Sequence, residues 1–169
     1  MAVLTRDVIR AELDSGRLKI DPFEPDQLGA ASIDLTLGDQ IRVIGAGSAI
    51  DLVEDADYRD HTWVKSLAEP FVLVPGRTIH GITRERVTLP DDLCGFLEGR
   101  SRFARLGLMI HVTSAFVQPG VSNRQVLEMS NVSNRPLRIH AGVRLCQLVL
   151  LRTDGHACYT GRFAEQENL

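Results

Sequence analysis

The sequence predicts a mainly β fold, a distorted β-barrel or jelly-roll with an N-terminal helix and short helical turns. Three observations predict it. Apolar and polar residues alternate over short runs, Gly and Pro punctuate those runs, and an apolar pattern of helical period occurs only near the N-terminus. Strands that follow one another without intervening helices close into a barrel or a sandwich, not into strand-helix-strand units.

Thr5 is placed to cap a helix running to about Gly16, in which Leu4, Val8 and Ala11 recur at one spacing and Ile9 and Leu13 at another. The period then changes. In SIDLTLG, Ile33, Leu35 and Leu37 alternate with Asp34 and Thr36, the pattern of a half-buried strand. Further strands are expected at 41–44, 71–74, 78–83, 125–131, 137–139 and 143–151, and LCGFLE at 93–98 is also strand-like. Pro75-Gly76, Pro90, Pro119-Gly120, Asn134 and Ala141-Gly142 mark turns between them. The polar stretch 54–66 reads as an excursion with a helical turn. No repeat, low-complexity tract or linker divides the chain, so residues 1–169 are expected to form one domain. A chain of this length buries roughly 70% of the surface it exposes when unfolded, and needs no staples to fold.

Nineteen Lys and Arg face 22 Asp and Glu, a net charge of −3. That balance excludes a general nucleic-acid coat, which requires a broad basic face, so no DNA or RNA partner is expected. Cys94, Cys146 and Cys158 are odd in number and far apart, and the N-terminus lacks the basic and long apolar regions of a signal peptide. A reducing cytoplasm is the expected location. No apolar run approaches the ~20 residues that span a bilayer, so a soluble protein without a membrane partner is expected.

Against this mildly acidic background, EGRSRFARLGL crowds Arg100, Arg102 and Arg105 together with only Glu98 nearby in sequence. Guanidiniums this close repel unless acids or a bound anion offset them. A turn leaving a strand at Gly99 would let backbone N–H groups, the Ser101 hydroxyl and the guanidiniums converge on a phosphate ester. A solvated basic turn or an interface salt-bridge cluster explains the same residues. Glu128 in VLEMSN shares a strand face with Val126 and Ser130, opposite Leu127 and Met129. A carboxylate so placed serves either to take and return a proton or to neutralise an arginine. The zinc-deaminase pattern of H-x-E with P-C-x-x-C is absent from the sequence, and HAC at 156–158 does not replace it. Neither a G-x-x-x-x-G-K-[ST] loop nor a G-x-S-x-G elbow occurs.

Together GRSRFARLGLMIHVT, PGVSNRQVLEMSN, the early GAASIDLTLG and the late YTGRFAEQ resemble the dCTP deaminase branch of the dUTPase-like superfamily, over nearly the whole chain. The resemblance implies a distorted barrel of the dUTPase-like type, a homotrimer with active sites between subunits, and zinc-independent deamination of a nucleotide triphosphate that carries Mg²⁺. By the same resemblance Arg100, Ser101 and Arg102 bind the triphosphate, with Arg102 where the family usually has a second serine. Ser101 and Arg105 position the attacking water beside Glu128, the catalytic glutamate. The backbone around Val117 and the Gln118 side chain meet the nucleotide. Tyr159, Arg162 and Gln166 fold over it, Arg162 replacing the usual lysine.

The chain departs from the family pattern at several positions. Thr113-Ser114 stands for Thr-Ala, Phe116 occupies a variable position, and Gln118 takes the place of an aspartate that meets the sugar in deaminases and is the base in dUTPases. Leu169 follows soon after Gln166, which predicts a shortened lid. The implied activity is conversion of dCTP to dUTP and ammonia. A dUTP diphosphatase and a nucleotide-binding regulator without turnover are the alternatives. Gln118 argues against the first, because a neutral amide is no base, and Glu128 against the second.

Overall fold

The alternating runs do become strands in the computed structural model, which describes residues 2–111 and 113–169. The chain runs α1 (Arg6–Asp14), β1 (Lys19–Asp21), β2 (Ile33–Ile44), β3 (Thr62–Ser66), β4 (Phe71–Leu73), β5 (Thr78–Thr88) and β6 (Leu93–Gly99). It continues through the short helix α2 (Ser101–Ala104), then β7 (Leu108–Ile110), β8 (Phe116–Val117), β9 (Ser122–Asn131), β10 (Leu137–Ile139) and β11 (Arg144–Arg152). One antiparallel sheet follows the order β7-β9-β5-β2-β11-β6-β8, with β1 added to β5 and β3 to β2, while β10 and β4 pair separately. The sheet curls into a half-barrel.

Curling depends on β2, which forms one strand of 12 residues where the sequence suggests two. Its first half pairs with β11 and its second with β3 and β5, and the β5 register shifts between Leu37 and Ile41. Such a bulge bends the strand and passes it from one neighbour to the next. Leu35, Leu37 and Ile41 of β2, Leu127 of β9 and Leu148 of β11 are completely buried. Each contributes about 1.5–3 kcal/mol relative to an exposed position.

Some local expectations change. Thr5 occupies the N-cap position of α1, yet its hydroxyl donates to the Asp7 carboxylate and accepts no helix N–H. The helix is held by packing and charge instead: Ile9 is fully buried, and Glu12 pairs with Arg17 and Arg152. In the polar stretch, a 3-10 turn at Tyr58–His61 leads directly into β3, an edge strand. Four strands without an expectation in the sequence, β1, β3, β7 and β8, have five residues or fewer, too few to display a period. Among the described residues no helix is long and apolar enough to cross a membrane.

Candidate functional site

β9 carries the site because its two faces meet different surroundings. Asn123, Gln125, Leu127, Met129 and Asn131 are buried, while Ser122, Arg124, Val126, Glu128 and Ser130 lie half-buried on the other side. That second face forms one wall of a cavity of about 360 Å³. Tyr58 from the 3-10 turn, His80 from β5, His111 and Ser114 after β7, and Gln118 after β8 form other parts of its wall.

Glu128 keeps 35% of its side chain exposed. Its Oε2 accepts a hydrogen bond of 3.0 Å from the Thr113 hydroxyl and lies 3.8 Å from His111 Nδ1. The His111 backbone N–H donates to the Glu128 carbonyl at 3.0 Å, which ties the segment after β7 to β9. His111 adopts φ +52°, a left-handed conformation uncommon outside glycine. Among the described residues neither of its buried ring nitrogens meets a partner in good hydrogen-bond geometry, the backbone of Val126 offering only a weak contact. Burial pushes this imidazole below its ordinary pKa, against the opposing pull of Glu128. A neutral ring with unmet nitrogens beside a carboxylate is a ready partner for a polar ligand.

The C-terminal segment covers one side of the cavity with Tyr159, Phe163 and Gln166. Backbone bonds from Ser122 and Arg124 to the carbonyls of Ala164 and Gln166 hold it beside β9, at 3.3 and 2.9 Å. Asn123 Nδ2 adds a bond of 2.7 Å to the Phe163 carbonyl. Gly120, at φ +73°, lets the Pro119-Gly120 turn approach Cys158, where a Cβ would lie only 2.9 Å from the cysteine backbone. Farther along, Arg162 ion-pairs with Asp57 and Arg86 with Glu167. Arg59 chiefly, with Arg162 assisting, holds the Asp57 carboxyl well below the usual carboxylate range.

Five of the expected residues therefore share one cavity: Val117, Gln118, Glu128, Tyr159 and Gln166. Arg100, Ser101, Arg102, Arg105 and Arg162 are not among its lining residues. Ser101, Arg102 and Arg105 are exposed on and just after α2. Arg100 bonds the Arg144 carbonyl at 3.0 Å and pairs with Asp34 at 3.0 Å. Burial raises the Asp34 carboxyl, with Arg100 pulling it back down. Arg144 in turn meets Glu24 at 2.5 Å and Asp26 at 2.8 Å. The fold thus supplies acids to the arginine-rich region that sequence proximity did not reveal.

His80, His111 and Tyr58 were missed by sequence reasoning. His80 was accessible to it, because alternation in TIHGIT sets this residue opposite the buried Ile79. The left-handed turn at His111 had no comparable signal. Among the described residues no three His, Cys, Asp or Glu side chains are grouped so as to hold a metal ion.

A family model described as dCTP deaminase-like matches residues 3–153. A dCTP deaminase, dUMP-forming, from Mycobacterium sp. (strain KMS) is 45% identical over 159 residues, covering 93% of this chain and 83% of the relative. The crystal structure of 2'-deoxycytidine 5'-triphosphate deaminase from Agrobacterium tumefaciens is similar at a TM-score of 0.70 and 24% identity. That match covers 92% of this chain and 48% of the other, so the chain spans about half its length. The dUTPase of EIAV matches at a TM-score of 0.55 and 14% identity, over 85% of this chain and 95% of that one. These likenesses establish the dUTPase-like fold.

Proposed function

The chain belongs to the dCTP deaminase-like family, and on that premise we propose that it removes the amino group of dCTP by hydrolysis, with Glu128 moving the protons. The observation that carries this reading is the setting of Glu128. It is the sole carboxylate among the described residues lining the cavity, and Thr113 fixes one of its oxygens.

Water adds to carbon 4 of the ring while Glu128 accepts its proton. The carboxyl returns that proton to ring nitrogen 3, then carries the remaining hydroxyl proton to the amino group. The C–N bond breaks with its electrons on the departing ammonia, and the C–O bond becomes a carbonyl. The balance is dCTP and water giving dUTP and ammonia. Fixed dipoles and guanidiniums would stabilise the charge that develops.

In this reading Ser101 and Arg105 steady the water, and Arg100, Ser101 and Arg102 hold the triphosphate. Since their own chain does not bring them to the cavity, a neighbouring copy would supply them, and we infer a homotrimer with sites between subunits. The exposure of Ser101, Arg102 and Arg105 supports it, as do exposed Leu106 and Val132 and the exposed Phe96–Phe116 pair, whose ring centroids are 5.3 Å apart. Mg²⁺ would arrive on the triphosphate. Its hard oxygen ligands are then phosphate and water, a fit to a turn whose own groups are guanidiniums and a hydroxyl and whose neighbouring Asp34 is ion-paired.

Gln118 supports dUTP as the released product, because a neutral amide cannot activate water at phosphorus. A second reading, release of dUMP, is favoured by the printed names of the 45% identical relatives, and requires a further hydrolysis that liberates pyrophosphate. The deciding assay incubates the protein with cytosine and uracil nucleotides and Mg²⁺ and follows ammonia and pyrophosphate separately. Ammonia from dCTP without pyrophosphate is expected. Equal amounts of both assign dUMP as product, pyrophosphate from dUTP without ammonia assigns a diphosphatase, and neither product leaves a regulator.

A further inference from the structure

A row of side chains crosses three adjacent strands at the cavity wall. Arg42 on β2 lies directly opposite His80 on β5, and His80 lies directly opposite Glu128 on β9. Residues opposed in this way on antiparallel strands share a face, with Cβ atoms about 4.5–5.5 Å apart. Tyr58 leans on the row, its ring 5.4 Å from the His80 ring in an edge-on contact and 5.7 Å beneath the Arg42 guanidinium. Arg42 is anchored at its far end through bonds to the Thr62 carbonyl and hydroxyl, at 3.0 and 2.9 Å.

We propose that His80 is a positioning residue for Glu128, the central member of an Arg42–His80–Glu128 row that orients the carboxylate from the side opposite Thr113. The catalytic consequence rests on the deaminase reading; the row itself does not.

Three facts support the assignment. Among the described residues the buried His80 Nδ1 has no partner, so packing alone does not account for an imidazole here. Among the described residues Thr113 donates to Glu128 Oε2, and Oε1 accepts no hydrogen bond from the protein. The groups facing His80 are Glu128 from β9, Arg42 from β2 and the Tyr58 ring, with His111 beyond the carboxylate. Burial lowers the His80 proton affinity, Glu128 raises it, and Arg42 lowers it again. The imidazole therefore stays neutral near pH 7, with one N–H and one lone pair. Buried unmet N–H groups are rarer in folded proteins than unmet acceptors, which favours a bare Nδ1 and the hydrogen on Nε2. His80 then presents a neutral donor toward Glu128 that adds no competing positive charge; the two side chains make no direct hydrogen bond, and the donor reaches Oε1 through a bridging water.

Two measurements test the proposal. The first follows the His80 ring by NMR through a pH titration of the wild type and of Glu128→Gln. With the carboxylate removed, the His80 midpoint should move to lower pH; an unchanged midpoint overturns the row, whether or not the protein turns over dCTP. The second compares kcat and KM of His80→Leu and His80→Gln, with thermal unfolding as a control for folding. Leucine fills the space without a donor, so kcat should fall about tenfold with KM little changed, the lower end for a bond to a charged group because the contact runs through water. Glutamine can still donate, and should restore most of the rate while removing any part of the kcat pH profile that His80 titration produces. Equal loss in both variants, or better retention with leucine, assigns His80 to packing and refutes the proposal. Absence of ammonia from the wild type defeats the deaminase reading instead, and the NMR titration still decides the row.

Discussion

Replacing Thr113 by valine removes the hydroxyl that donates 3.0 Å to Glu128 Oε2 while keeping the branched shape. A hydrogen bond to a charged group contributes about 1.5–3 kcal/mol. Glu128 is 35% exposed, so water replaces part of the lost contact, and the lower end of the range applies. About 1.5 kcal/mol corresponds to roughly a tenfold fall in kcat, since each 1.36 kcal/mol of barrier is a factor of ten. KM should change little, because Thr113 is assigned to the base and not to the substrate. The assay is steady-state ammonia release from dCTP with Mg²⁺, run beside Thr113→Ser, which retains the hydroxyl and should recover most of the rate. Unchanged kcat in Thr113→Val, or a serine variant as slow as valine, would show that this bond does not orient the catalytic carboxylate.

Stability should decline on acidification below about pH 4–5, the ordinary carboxylate range. Burial pushes the Glu12 and Asp92 carboxyls up, but hydrogen bonds from Arg17 to both and from Arg152 to Glu12 bring them below their ordinary values. Depressed folded-state values mean that the stabilisation is present above the unfolded pKa and lost as pH falls through the folded one. Melting temperature against pH should therefore fall less steeply in Arg152→Ala than in wild type, and parallel curves would contradict this. Gln118→Asp restores a charged acceptor at the cavity wall, which should raise the ratio of kcat/KM for dCTP over CTP by one to two powers of ten. An unchanged ratio would place sugar selection elsewhere.

The residues most legible in the sequence were those whose environment follows from period two. Leu127 and Met129 point into the core, and Glu128 points away from it, as the alternation in VLEMSN requires. The same rule reached His80 in principle, but a histidine on a strand face has no meaning until Glu128 and Arg42 are known to be its lateral neighbours. Long-range pairing also hid the acids around the arginines. Asp34 and Glu24 are distant from Arg100 and Arg144 in sequence, and only the β2–β11 pairing and the turn at Pro25–Gln27 bring them together. β3 escaped because it is an edge strand with four of its five residues exposed, so no apolar alternation marks it.

The central claim is that Glu128 carries the protons in hydrolysis of the cytosine amino group. Ammonia release from dCTP by Glu128→Gln, measured with calorimetric nucleotide binding on the same preparation, tests it most directly. The amide keeps the shape and loses the basicity, so turnover should fall by about 10²–10⁴ while affinity for the nucleotide stays near that of the wild type. Wild-type turnover in Glu128→Gln would contradict the account.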